Sequence, residues 1–209
     1  MAITRIITPS ITDDAVDNTK LDLASNYAFT GTVSGASQFT LLNTTTISQD
    51  STINFDNTLI TSTYEHYMFT FNNVRFSEDG TTVYLNLSVD NGSSFPASAS
   101  YYTDLFYDGT YRITQQTSQS SIVIFNSPDG VNASNNGMSS GVMHIFNGNG
   151  TNTHKSGFMT MVQSNQSGNV YSNFDSKFSL NNTSALNYIR FSTSNGNWYD
   201  GTIKLYGVS

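Results

Sequence analysis

The sequence predicts an all-β protein: a jelly-roll-like antiparallel β-sandwich preceded by an extended N-terminal arm. Three observations carry this prediction. Apolar and polar residues alternate with period two in many places, while helical periodicity is hard to find. Charged residues make up only 11% and aromatic residues 13% of the 209 residues, with 12 Tyr and 14 Phe, so solubility rests on Ser, Thr, Asn and Gln, a composition that suits a pleated, half-buried surface. Gly, Asn and Asp clusters punctuate the apolar runs at the spacing of short strands, as in a sandwich or jelly roll.

The elements follow in chain order. Residues 1–44 form neither a good helix nor a good strand. Ile6, Ile7, Ile11, Val16, Leu21, Leu23, Tyr27 and Phe29 are spaced among Asp, Asn, Thr and Lys, and Pro9 fixes a local bend. Alone in water such a segment cannot bury enough surface to offset its chain entropy. It is therefore expected to be an anchoring arm that orders against other protein. Residues 45–209 are expected to be one display domain.

Within that domain Tyr67, Phe69 and Phe71 alternate with Met68 and Thr70, and Val83, Leu85, Leu87 and Val89 alternate with Tyr84, Asn86 and Ser88. Both read as half-buried strands. Asp79-Gly80 lies between them and Asp90-Asn91-Gly92 follows, both strong turns. Further strands are expected over 101–107, 122–125, 142–146, 158–162, 173–180, 186–191 and 202–206. In the last, Ile203 and Leu205 should face inward and Lys204 and Tyr206 outward. Consecutive strands should pair as an antiparallel meander. The chain finishes on a strand, which leaves little room for a following domain.

Composition also narrows the function classes. The net charge of −7, with only 8 Lys and Arg in scattered positions, argues against a nucleic-acid groove. No stretch approaches the roughly 18 apolar residues of a membrane span, and no apolar signal-peptide core precedes the arm. The absence of cysteine rules out a disulfide framework and thiolate metal ligation.

The residues available for chemistry are few. His66, His144 and His154 are the only histidines and Glu65 and Glu78 the only glutamates. No histidine pair has metalloprotease spacing, and no nucleophile elbow, phosphate loop or dinucleotide fingerprint appears. His66 should lie on the strand face opposite Tyr67, Phe69 and Phe71, and His144 on one face with Val142 and Phe146. The expectation is no catalytic residue, no metal and no cofactor. Trp198 and Tyr199, flanked by Asn and Asp, are the candidate glycan contacts, since an aromatic face beside amides and carboxylates suits sugar stacking. The alternative is that they cap the sandwich core or a subunit contact.

Two stretches carry a family resemblance. The segment ITPSITDDAVDNTKLDLASNYAFTGTVSG resembles connector and anchor segments of tailed-bacteriophage virion proteins. The run STYEHYMFTFNNVRFSEDG with the later YLNLSVDNGSSF is similar to a β-sandwich module of phage tail-fibre and head-decoration proteins, in which it forms two facing strands; GTIKLYGV resembles that module's closing strand. Phe76 stands where the module usually has proline. The resemblance implies a virion-surface protein, on the head or the tail, and the reading favoured here is a non-enzymatic capsid decoration or cement protein. It would be homotrimeric, made in the host cytoplasm and displayed on the virion surface, with the major capsid protein or a tail component as partner. A short tail fibre that binds a receptor or host-surface glycan, or a soluble carbohydrate-binding lectin module, are the alternatives.

Overall fold

The computed structural model describes residues 38–107, 110–126, 137–164 and 170–208. The chain divides into two units, Met1–Ser37 and Gln38–Ser209, and the described residues belong to the second. The eight apolar arm residues from Ile6 to Phe29 lie outside them.

The described residues form twelve strands: β1 (Phe39–Thr46), β2 (Thr52–Phe55), β3 (His66–Phe76), β4 (Thr82–Ser88), β5 (Ala99–Tyr107), β6 (Thr110–Gln119), β7 (Ile122–Asn126), β8 (Met138–Phe146), β9 (Lys155–Ser164), β10 (Val170–Leu180), β11 (Tyr188–Thr193) and β12 (Trp198–Val208). They form two antiparallel sheets, an eight-stranded one ordered β1-β12-β3-β8-β9-β10-β5-β6 and a four-stranded one ordered β2-β11-β4-β7. The all-β sandwich expected from the alternation is present.

Setting β5, β6, β9 and β10 aside leaves two four-stranded sheets, β1-β12-β3-β8 and β2-β11-β4-β7. Their pairs are nested: β1 with β12, β2 with β11, β3 with β8, β4 with β7. A long antiparallel ribbon has been folded over on itself, and this is the jelly-roll wrapping. The hairpin β5–β6 is inserted at the ribbon's tip and β9–β10 in its returning arm. The two insertions pair through β10 and β5, and β9 joins them to β8.

The meander expectation is corrected here. β3 and β4 lie in different sheets, as do β4 and β5; consecutive strands pair only at β5–β6, β8–β9 and β9–β10. Alternation specifies which side chains face the core, and a core between two sheets accepts them from either one. The domain boundary also moves. The sheet begins at Phe39, where β1 pairs with β12 from Phe39↔Val208 to Thr46↔Thr202. Leu41 and Leu42 are adjacent and a register shift follows them, so this strand carries no clean period-two signature.

The core between the sheets is aromatic. Phe55, Phe69, Phe71, Phe76, Phe125, Phe191 and Trp198 are all buried, and Phe191 stands edge-on to both Phe69 and Phe71, with centroids 5.2 and 5.4 Å away, an arrangement favoured by the ring quadrupoles. Ile203 and Leu205 point into the core and Lys204 and Tyr206 away from it, as the alternation requires. The turn after β4 is held by Asp90. Its carboxylate accepts hydrogen bonds from the hydroxyls of Ser88 (2.6 Å) and Ser94 (2.5 Å) and from the Ser94 amide (2.9 Å), which lower its pKa to about 2. Asn91 and Gly92 there adopt φ of +57° and +79°, the left-handed region that Asn and Gly tolerate best.

Lys155 is fully buried at the start of β9. Its ammonium donates to the carbonyls of Gly150 (2.6 Å) and Thr183 (3.0 Å), so it ties the β8–β9 and β10–β11 connections together. Burial lowers its pKa, and the carbonyl acceptors are what make a charge tolerable there.

Candidate functional site

Two features of the described surface stand out: the outer face of the large sheet, and a cleft beside its β5–β6 extension.

The outer face is built by strand register. Leu41 of β1 lies opposite Tyr206 of β12, Tyr206 opposite Met68 of β3, Met68 opposite His144 of β8, and His144 opposite Phe158 of β9. Phe39, Val208 and His66 form the neighbouring row, and Phe146, two residues beyond His144, completes it against His66, with ring centroids 4.6 Å apart. Phe39 and Leu41 are 47% and 52% exposed, and Phe146 and Phe158 are exposed beside them. The result is a continuous aromatic and aliphatic band across five strands.

At its centre His66 Nε2 and His144 Nδ1 are 2.7 Å apart, one ring nitrogen donating and the other accepting. His144 stacks on Phe158 with centroids 4.9 Å apart. Burial lowers both imidazole pKa values, and the proximity of His144 lowers that of His66 further. The face assignments of both histidines stand as expected; their contact was not foreseen, because it depends on β3 pairing with β8. His154 is exposed in the loop before β9. Among the described residues no three His, Cys, Asp or Glu side chains converge in a group fit for a metal ion.

The cleft, of about 300 Å³, lies between the inner face of the extension and the small sheet. One wall carries Tyr101, Thr103 and Leu105 of β5, Arg112 and Thr114 of β6, and Phe174 of β10; the other carries Thr82 and Tyr84 of β4 and Val123 and Asn126 of β7. One hydrogen bond crosses between the walls, and others hold β4 to the turn ahead of β7. The Ser176 hydroxyl on β10 donates to the Val123 carbonyl at 2.9 Å, and the Asn86 amide of β4 donates to the Ser120 carbonyl and Ser121 hydroxyl ahead of β7, at 3.0 and 2.8 Å.

Of the two readings of Trp198, the glycan contact is corrected and the core cap stands. Trp198 is fully buried, with the rings of Phe71, Phe76, Phe125 and Phe191 around it, and its indole Nε1 has no hydrogen-bond partner. An indole enclosed by four aromatic rings offers no face to a sugar; it caps the core. Tyr199 is partly exposed on the next position, but the Arg75 guanidinium lies 5.5 Å from its ring centroid. Arg75 is in turn paired through Nε (2.8 Å) and a second nitrogen with the Asp200 carboxylate, which raises its pKa.

The sequence matches no family model, no curated protein and no solved structure. Among the described residues no helix is long and apolar enough to cross a membrane.

Proposed function

We propose that this chain is a non-enzymatic structural protein of a bacteriophage virion, a capsid decoration or cement protein whose N-terminal segment attaches to the major capsid protein and whose jelly roll faces outward as a homotrimer. The observation that supports this reading best is the exposed aromatic band on the large sheet. Soluble monomers rarely leave a large contiguous apolar face in water, and such a face usually marks a protein contact. Each large apolar side chain fully covered there contributes about 1.5–3 kcal/mol before ordering costs. The N-terminal segment supports the attachment role through its spaced apolar residues and its resemblance to phage anchors.

The test is quantitative proteomics of purified particles, paired with light scattering of the full-length chain. The expected results are a copy number that scales with capsomers and a solution mass three times the 22.9 kDa chain. A small fixed number per particle would place the protein on the tail instead. Absence from particles together with a monomeric solution mass would overturn the reading.

A further inference from the structure

We propose that the cleft between the β5–β6 extension and the small sheet is a binding site for an acidic saccharide, with Arg112 as the anchor for its carboxylate. The inference does not rest on the virion reading; it follows from the chemistry of the lining.

Arg112 is the one charged side chain among the described lining residues, and none of them carries a carboxylate. In a chain of net charge −7 this is a local positive site. The other described cations are mostly engaged: Arg75 with Asp200, Lys177 with Asp104, Lys155 with backbone carbonyls, and Arg190 with Asn54 and the Phe95 ring. Arg112 has no hydrogen-bond or ion-pair partner among the described residues. Its planar guanidinium presents paired donors that match a carboxylate in a two-point contact.

The rest of the lining selects a polyol. Five side-chain hydroxyls, those of Thr82, Tyr84, Tyr101, Thr103 and Thr114, face the cleft, and none has a hydrogen-bond partner among the described residues. Hydroxyls elsewhere in the fold, such as those of Ser88, Thr81 and Ser176, are bonded. A group of solvent-accessible donors and acceptors with no protein partner that converges on one space suits a ligand bearing many hydroxyls. The Tyr84 and Tyr101 rings with Leu105, Val123 and Phe174 supply the apolar surface on which the C–H face of a pyranose ring rests. Burial and the nearby Tyr84 raise the Tyr101 pKa, consistent with two phenols sharing a partly dehydrated wall. The bonds from Ser176 and Asn86 hold the walls in place before any ligand arrives, which lowers the ordering cost of binding.

The experiment is titration calorimetry on the full-length chain with three probes: a hyaluronan tetrasaccharide and a galacturonate trimer, both acidic, and neutral maltotetraose. The expected result is saturable binding of at least one acidic probe, ten-fold or more tighter than maltotetraose. Arg112→Ala should weaken that binding ten-fold or more. The melting temperature should be unchanged, because Arg112 is exposed on an edge strand. Arg112→Lys should restore part of the affinity, and Thr114→Val should weaken both acidic and neutral probes. Lys204→Ala, on the far face of the large sheet, should change nothing. Equal binding by Arg112→Ala and the parent, equal loss on Lys204→Ala, maltotetraose binding as tightly as the acidic probes, or no binding of either acidic probe by the folded parent chain would each overturn the proposal.

Discussion

At the scale of single residues, Trp198 teaches most. Its neighbours in sequence are polar, and one tryptophan beside Asn and Asp reads as a surface platform. Its partners in space are four phenylalanines, and the energetic weight of the ring therefore lies in packing. Trp198→Ala should cost about 3–5 kcal/mol of stability, the range for deleting a large buried aromatic, while Trp198→Phe should cost less because the ring contacts largely survive and the unpaired N–H is gone. Urea unfolding of both variants measures this; a loss below 1 kcal/mol for the alanine variant would contradict the burial. The histidine pair is the second residue-scale feature. Both imidazole pKa values are lowered in the fold, so the unfolded chain binds more protons and folding stability falls as pH drops through the ordinary histidine value of about 6.5. Met68, Phe146 and Phe158 lie beside them, Lys177 is opposite Phe158, Lys204 sits on β12, and Glu65 shares a recess with His66; burial sets the direction of both shifts. The melting temperature should decline between pH 7 and 5, and His66→Phe combined with His144→Phe should flatten that decline. An unchanged slope in the double variant would show that other groups carry it.

At the scale of elements, the irregular sites on β3 and β12 decide local geometry. The β3–β12 register shifts around Asp200 and that of β3–β8 shifts between Phe71 and Val74, with Asn73 at φ +52° and Gly201 at φ +119°. Such bulges bend a strand and sharpen its twist, and here they let the carbonyl of Gly201 accept from Ile47 at 3.0 Å as the chain leaves β1. A Cβ at Gly201 would lie 2.7 Å from the Val74 Cα, and the φ itself disfavours any L side chain. Gly201→Ala should therefore destabilise the fold by about 1–3 kcal/mol, measured by denaturant midpoint, and a neutral result would show that the two strands relax freely. The β6 edge strand is the opposite case. It is exposed along most of its length, and apart from Tyr111 and Ile113 it is composed of Thr, Gln, Ser and Arg, polar residues that blunt a sheet edge against unwanted pairing. Its apolar alternation is limited to Tyr111 and Ile113, too short to mark ten residues as a strand; β5 offers it a ladder from Tyr107↔Thr110 to Ala99↔Gln119.

At the scale of the whole molecule, the two sheets are unequal, and the inequality accounts for both candidate surfaces. A four-stranded sheet cannot cover both faces of an eight-stranded one. The outer face of the large sheet stays open, and the extension beyond β8 forms a wall of the hydroxyl-lined cleft. If the aromatic band is the contact between copies, Leu41→Glu with Phe158→Glu should yield a monomer by light scattering while the melting profile still shows a cooperative transition. Both side chains point away from the core, so the substitutions test association separately from folding. A trimer that persists in the double variant would move the contact elsewhere.

By itself the sequence determined the secondary-structure class, the inward faces of β3, β4 and β12, and the turns at Asp79-Gly80 and Asp90-Gly92. These are local properties: alternation follows from the pleat, and left-handed turn positions follow from the steric limits of each residue. It also placed His66 and His144 on the correct faces. Only the tertiary structure decided which strand each one met. Strand pairing is a long-range choice between ladders that satisfy the same alternation. For that reason the meander gave way to a folded-over ribbon, β1 and β6 became strands by borrowing a partner, Trp198 passed from surface to core, and residues as distant in sequence as Tyr84, Arg112 and Phe174 came to line one cleft.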